Sequence, residues 1–431
     1  MLNKDQLLHI NKINNRQLLK LIEHVRKKIP FYYEKNIMDF SNVNDDSLVH
    51  YFIDQFPIID KESIKKNIRS FIDKRLNDEN INEILNFNKD YKKEYEYSTN
   101  LGTIYTEYTS GTNGTPFMCL KTQNERVHIG YSLCCLRRRF FEHQPDKMFM
   151  FVHKYGEKNY PFPFEKEVVK EERTRKELKY LSEKDFTWWH MTSFQMDHYY
   201  RYLIDHKFEF PSLKVIENNG SFISEEEKKL FGGIFKAKIA NNYGCREVWT
   251  IAYDCPCGHL HINSDRIIFE LVDEDGDVIV EPNKIGYVVV TSLDQYSMPF
   301  IRYRIGDMAY YEEGNCECGY SSRRIVLIPG RSLVKGTNNY GNVIFRKVVR
   351  QLVWKGITDF GTIHVIQTDL NEFEVNICEN NVEKDLIESK FIKYANKYLN
   401  SENKFLFTYN DNSNYKSIFD VSKKFKNVTK S

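Results

Sequence analysis

The sequence predicts an α/β protein in two parts: a large multi-layer N-terminal domain over residues 1–330, carrying a β-rich subdomain at 266–312, and a small α+β C-terminal lid domain over 331–431. Three observations predict it. Strand-like and helix-like periodicities alternate between Thr103 and Tyr243, the pattern of a sheet covered by helices. From Ile267 to about Tyr311 strands crowd together around a turn at Asp275-Gly276 and breaks at Pro282, Gly286 and Pro299. Beyond Gly330-Arg331 the chain follows a strand-strand-helix-strand rhythm. The length agrees, since single cores stop growing near ~250–300 residues and this chain has 431.

Taken in order, the chain opens with helices joined by polar connections. An apolar stripe runs over Arg16 to Lys27, and Pro57 followed by Lys61-Glu62 opens a further helical stretch. Thr103 to Thr109 alternates as a strand, enters a glycine-containing loop and resumes as an apolar strand at Phe117 to Leu120. Gln123 to Glu142 is predicted as a helix, Met148 to Val152 as a buried strand, and Glu183 to His206 as mostly helix. Leu213 to Glu217 is a strand; Ser224 and Glu227 form a capping box for a helix ending near Phe235; Lys238 to Tyr243 is the next strand. In the C-terminal part the expected elements are strands Thr362 to Gln367 and Glu372 to Ile377, a helix Glu383 to Leu399, and a strand Phe405 to Thr408.

Lys plus Arg (62) nearly balance Asp plus Glu (60), so no global field draws the chain to nucleic acid or to an anionic membrane. No apolar stretch approaches the ~18 residues that span a bilayer, and the start MLNKDQLLHINK lacks a signal core, so a cytoplasmic protein is expected. Nine cysteines, an odd number, argue against a secreted disulfide scaffold.

The loop Thr109-Ser110-Gly111-Thr112-Asn113-Gly114-Thr115-Pro116 joins three further hydroxyls and two glycines to its opening threonine, so backbone amides can approach a polyphosphate while side chains donate to its oxygens. It is not a Walker loop, because no Gly-Lys-Ser/Thr follows and the next element is a strand. Cys255-Pro256-Cys257-Gly258 and Cys316-Glu317-Cys318-Gly319 are two identical C-x-C-G units flanking the β-rich section. Four thiolates at Cys255, Cys257, Cys316 and Cys318 suit a closed tetrahedral structural zinc, with His259 or His261 as a replacement for one of them; the alternative is four reduced surface cysteines. Cys119, Cys134, Cys135 and Cys378 lie in apolar stretches and read as packing residues, as does Cys245.

Three further motifs follow the loop: Asn241-Asn242-Tyr243-Gly244-Cys245-Arg246-Glu247, Tyr303-Arg304-Ile305-Gly306-Asp307 and Gly330-Arg331. In order and spacing they resemble the adenylate-forming superfamily of acyl-CoA synthetases, nonribosomal-peptide adenylation domains and luciferases, and within it the phenylacetate-CoA ligase and CapK-type branch. Pro30-Phe31-Tyr32-Tyr33 and Phe56-Pro57-Ile58-Ile59-Asp60-Lys61 resemble that branch's opening, so the likeness covers nearly the whole chain. The resemblance implies the adenylating-enzyme fold and a reaction in which ATP and magnesium activate a carboxylic acid as its acyl-AMP. It implies that Thr109, Ser110, Gly111, Thr112, Asn113, Gly114 and Thr115 hold phosphates, and that Asn242, Tyr243 and Gly244 meet adenine, with a looser carry-over to Gly220 and Ser221. It implies further that Asp307 takes the ribose hydroxyls, Glu247 holds magnesium, and Arg331 and Lys416 serve the reacting phosphates. These residue types suit the chemistry: an aromatic face for stacking, a bidentate carboxylate for a diol, and a hard oxygen ligand for magnesium.

The sequence departs from the family at three places. Leu333 stands where a hinge aspartate commonly follows the Gly-Arg pair, Thr115 stands where the loop lysine precedes proline, and no glycine precedes Lys416. A hinge at Ser332 or a neighbour is then expected. For the acid, Trp188-Trp189-His190 with Tyr131, Phe151 and Trp249 offers an aromatic pocket, with buried core aromatics as the equal alternative. The expectation is an aryl or arylacetyl acid and coenzyme A as acceptor. Alternatives are an amide-forming ligase with an amine acceptor and a non-catalytic nucleotide-binding scaffold. Partners are small molecules, and the oligomeric state is a monomer or a homodimer.

Overall fold

A computed structural model describes residues 15–76, 78–85, 94–109, 117–142, 147–150, 170–334 and 337–339, and, beyond these, 345, 348–349, 351–352, 357, 360–369, 372–379, 383–399 and 403–410. The loop residues Ser110 to Thr115, the candidate Lys416 and Phe151 lie outside the described residues.

Besides the single turn Pro30–Tyr33, the N-terminal α-helices are α1 Asn15–Lys28, α2 Asp45–Gln55, α3 Lys61–Lys66 and α4 Asp78–Ile84. The predicted stripe on α1 is the buried one: Leu18, Leu21, Ile22 and Val25 pack with Phe52, Phe56, Ile268 and Ile301. Next come β1 Tyr95–Thr99, β2 Gly102–Tyr108 and β3 Met118–Thr122, an antiparallel sheet in which Tyr108 pairs with Met118. The strand, loop, strand reading therefore holds, and the phosphate-loop candidate is the connection of a hairpin. Thr122 caps the following helix α5, Gln123–Phe141, in a capping box with Glu125.

The central sheet is built from β4 Met148–Met150, then, after helix α6 Lys170–Ser182, β5 Trp188–Met191, with helix α7 Ser193–Asp205, β6 Val215–Asn219, helix α8 Glu225–Phe235, β7 Lys238–Cys245, β8 Trp249–Asp254 and β9 Leu260–Ile262. It continues through β10 Ile267–Val272, β11 Val278–Ile279, β12 Gly286–Ser292, β13 Tyr303–Tyr311 and β14 Arg324–Val334. Strand order is β11-β10-β12-β13-β14-β9-β8-β7-β6-β5-β4. The β4-β5-β6-β7 part is parallel, and every later pair along this path is antiparallel.

The parallel part is covered on both faces, as parallel sheets are. Trp189, Met191, Ile216 and Ile239 face α7 and α8, whereas Trp188, Val215 and Ala240 face α5 through Leu136 and Phe140. One expectation needs narrowing. Helix fills just over half of Glu183 to His206, but the stretch also holds a strand, Trp188–Met191, because its bulky side chains are buried on both faces, and α7 begins at Ser193 with Thr192 as its cap. The Ser224–Glu227 box and helix α8 lie where expected.

The C-terminal residues form strands Phe360–Asp369, Glu372–Glu379 and Lys404–Asn410 with helix Lys384–Leu399, within a residue or two of the predicted bounds. Their core, from Phe345 through Val375 and Phe391 to Leu399, is made of C-terminal residues alone. No described helix is long and apolar enough to cross a membrane.

Candidate functional site

Two motifs with the same spacing, Tyr243…Glu247 and Tyr303…Asp307, are cross-linked reciprocally. The Tyr243 hydroxyl donates to Asp307 Oδ2 at 2.9 Å, and the Tyr303 hydroxyl donates to Glu247 Oε1 at 3.0 Å. Tyr243 lies on β7 and Asp307 on β13, four steps apart in the strand order. In a flat sheet at ~4.8 Å per step they would be about 19 Å apart, so the sheet curls to bring them together.

Each partner is held from behind. Glu247 is buried in the turn between β7 and β8, and its carbonyl accepts from the Gln295 amide at 2.9 Å. Gly244 is required there: a Cβ would stand 2.0 Å from the Trp249 carbonyl oxygen. Asp307 pairs in register with Arg331, which puts the Gly-Arg motif on the strand beside it.

The phosphate-loop candidate is anchored at both ends. Thr109 N–H donates to the Phe117 carbonyl at 2.9 Å, and Lys61 Nζ donates to Thr109 Oγ1 at 2.7 Å while lying 5.4 Å from the Phe117 ring centroid. Sequence reasoning placed Lys61 at a helix start and at the end of the Phe56 to Lys61 segment, without a role at the loop. The available signal was the missing loop lysine, since a polyphosphate loop needs a nearby cation and Thr115 supplies none.

A buried ion pair ties the hairpin to the Tyr243 motif. Lys121 Nζ donates to Glu107 Oε2 at 3.0 Å and to the Arg246 carbonyl at 2.7 Å, and the Trp249 indole N–H donates to the same Glu107 oxygen at 2.8 Å. Burial alone would raise the Glu107 carboxyl, but Lys121 overrides it and holds the group below its ordinary value.

Asn242, Gly220 and Ser221 lie at the C-terminal ends of the parallel strands, where ligands bind in open α/β sheets. Gly220 adopts φ +74°, a turn closed to most side chains. Ser221 Oγ accepts from the Ser193 N–H at 2.8 Å and donates to Asn218 Oδ1 at 3.0 Å, so its hydroxyl fixes the turn. Of the aromatic pocket candidates, Trp188 and Trp189 are core residues on opposite faces, Trp249 is bound to Glu107, and Tyr131 is 69 % exposed. His190 remains at the strand ends, in contact with Asn219.

The two C-x-C-G units form matching turns. Gly258 and Gly319 take φ +86° and +76°, and each glycine N–H donates back to the first cysteine's carbonyl, to Cys255 at 2.8 Å and to Cys316 at 3.2 Å. Ligand atoms of Cys255, His261, Cys316 and Cys318 all lie within 4.8 Å of one another. β8 and β9 turn the His261 imidazole toward these three cysteines, while Cys257 is exposed with its thiol beside those of Cys255 and Cys316. The Cys255 and Cys316 sulfurs are 3.7 Å apart, the edge of a tetrahedron with ~2.3 Å Zn–S bonds.

No family model matches the chain. One curated relative, the phenylacetate-coenzyme A ligase of Thermus thermophilus, is 31% identical over 111 residues, 24% of this chain and 25% of the relative. The match thus spans about a quarter of that relative's length. Among solved structures, 2-hydroxyisobutyryl-CoA ligase in the postadenylation state with R3-HIB-AMP superimposes with a TM-score of 0.64 at 13% identity, covering 94% of this chain and 87% of that one. The chain has the fold of the adenylate-forming superfamily. An open conformation of the same ligase, in complex with 2-HIB-AMP and CoA, gives 0.55 at 13% identity, over 94% and 89% of the two chains. In the adenylate-forming fold, the reciprocal tyrosine-carboxylate pairs join the second and third of the four motifs on which the sequence resemblance rests.

Proposed function

We propose that the chain is an acid-CoA ligase that activates a carboxylic acid with ATP as the acyl-AMP, releasing pyrophosphate, and then transfers the acyl group to coenzyme A. The observation that carries this is the double cross-link between Tyr243–Asp307 and Tyr303–Glu247, which gathers an aromatic face, a diol acceptor and a magnesium-type carboxylate into one place. The named activity of the Thermus relative supports the same reading.

In this reading Tyr243 and Asn242 face adenine, Asp307 takes the ribose hydroxyls, and Lys61 adds charge to the hairpin loop Thr109 to Thr115 around the phosphates. Glu247 would hold magnesium, which neutralises phosphate charge when bound; Tyr303 fixes one of its oxygens. Attack by the acid carboxylate on the α-phosphate needs no protein nucleophile, so the chain acts by positioning and charge neutralisation, with Arg331 and Lys416 as the residues that serve the reacting phosphates. Residues 331–431 act as the lid, and the leading acid class is aryl or arylacetyl. An amine acceptor, as in CapK-type proteins, is the second reading.

We also assign a structural zinc to Cys255, His261, Cys316 and Cys318. The donor set fits: the Ser322 carbonyl can only accept, so His261 Nδ1 donates to it at 2.9 Å and Nε2, 3.4 Å from Cys318 Sγ, keeps its lone pair for the metal. Reduced thiols in such a cluster suit the cytoplasm.

Acid-dependent exchange of labelled pyrophosphate into ATP tests the activity, and coenzyme A dependence of AMP release with the responsive acid tests the acceptor. No exchange across a broad carboxylate panel, with ATP bound, would refute the reading.

A further inference from the structure

Beneath α5, at the C-terminal ends of β5, β6 and β7, a polar cluster stands where the rest of that interface is apolar. Trp188, Val215 and Ala240 face the helix with Leu136 and Phe140. Strand alternation carries the next residues, His190, Glu217, Asn219 and Asn242, to the same face. Arg137 reaches them from the helix. Its Nε donates to Glu217 Oε2 at 2.7 Å and its Nη2 to Oε1 at 2.8 Å, while Tyr253 Oη and Asn242 Nδ2 donate to the same carboxylate at 2.7 and 3.3 Å. Asn219 Nδ2 lies 3.0 Å from His190 Nε2. Gly220 and Tyr243, the adenine-side residues, follow directly on β6 and β7.

We infer that this cluster is the far wall of the acid pocket and that it reads a neutral hydroxyl on the substrate, through Arg137, Asn219 and His190. The inference rests on the acyl-adenylate reading above and names the acid's chemistry, whether its skeleton is aryl or aliphatic.

Three observations support it. The cluster is electrically balanced. Burial would raise the Glu217 carboxyl, but the Arg137 fork holds it below its ordinary value, and burial pushes the His190 imidazole down, so one cation meets one anion and the histidine is neutral at pH 7. A charged substituent brought here would lose its hydration with no counter-charge to meet it. Next, the cluster keeps one donor and one acceptor: Arg137 Nη1 and Asn219 Oδ1 have no hydrogen-bond partner among the described residues. A hydroxyl both accepts and donates, and satisfies the two together. Finally, the Arg137 and His190 side chains each retain 13% exposure, so the cluster is not sealed.

The test is pyrophosphate exchange with matched acids that differ by one hydroxyl, on aliphatic and aryl skeletons, together with amino acids and dicarboxylates. The expected result is a kcat/KM at least about tenfold higher for the hydroxylated member of one series, since sites built to bond a hydroxyl reject analogues lacking it. His190→Phe and Asn219→Ala should shrink that ratio about tenfold, with His190→Gln restoring part of it. Retained ATP binding and an unchanged melting temperature separate altered selectivity from misfolding, because a purely structural role would lower both members of a pair alike. Preference for the unsubstituted acid in every series, preference for a charged acid, or a ratio unmoved in both variants overturns the inference alone. No exchange with any acid overturns the acyl-adenylate reading and this inference with it.

Discussion

Replacing Lys121 by Met leaves the Glu107 carboxylate buried with its main counter-charge gone. Both side chains are essentially sealed, at 0% and 1% exposure, and the ammonium lies 3.0 Å from Glu107 Oε2 and 2.7 Å from the Arg246 carbonyl. Arg126 offers only a 3.9 Å contact to the other oxygen, from a side chain 24% exposed. Breaking a buried pair by removing one partner costs about 3–5 kcal/mol. At roughly 2 °C per kcal/mol for a large chain, the melting temperature should fall by about 6–10 °C. Because Lys121 also fixes the turn that carries Glu247, exchange activity should fall further than stability alone explains. The double variant Glu107→Gln with Lys121→Met leaves no stranded charge, and the Trp249 N–H keeps an acceptor, so it should recover at least half of the lost melting temperature. Calorimetric melting of wild type, both single variants and the double variant measures the coupling. A single-variant loss under 1 kcal/mol, or a double variant as damaged as the sum of the singles, would refute the argument.

Zinc should co-purify at one equivalent by metal analysis; His261→Ala should abolish it and lower the melting temperature, whereas Cys257→Ser should retain it, and the reverse pattern would restore the four-cysteine set. Lys61→Ala should weaken ATP, seen as a KM for ATP raised about tenfold in exchange assays, while Lys61→Arg should recover most of it; an unchanged KM rejects the role at the loop. Asp73, Glu107 and Glu217 are all held below their ordinary values by cationic or hydrogen-bonding partners. Depressed carboxylates stabilise the fold above the unfolded value near ~4.3 and lose that contribution as pH falls through the folded value, so stability should drop steeply below about pH 4; a flat urea midpoint between pH 5 and 3 would contradict it.

Much of the secondary structure was legible because it depends on neighbours in the chain. The α1 stripe, the Ser224–Glu227 capping box, the hairpin around the loop and the C-terminal strand-strand-helix-strand all arise from periodicities and caps spanning a few residues. The Trp188–Met191 strand was misread because a short run of bulky apolar residues has no period of its own; burial on both faces decided it.

What the sequence determined by itself was the order of the motifs and their residue types, on which the proposed class of chemistry rests. Tertiary structure decided the pairings. That Tyr243 bonds Asp307 and Tyr303 bonds Glu247, that His261 joins Cys255, Cys316 and Cys318, and that Arg137 meets Glu217 all follow from how the sheet curls and which face each strand presents. The three hydrogen-bonded pairs join residues 64, 56 and 80 positions apart, and His261 meets Cys318 across 57. No local pattern encodes such separations, because they are set by packing summed over the whole core.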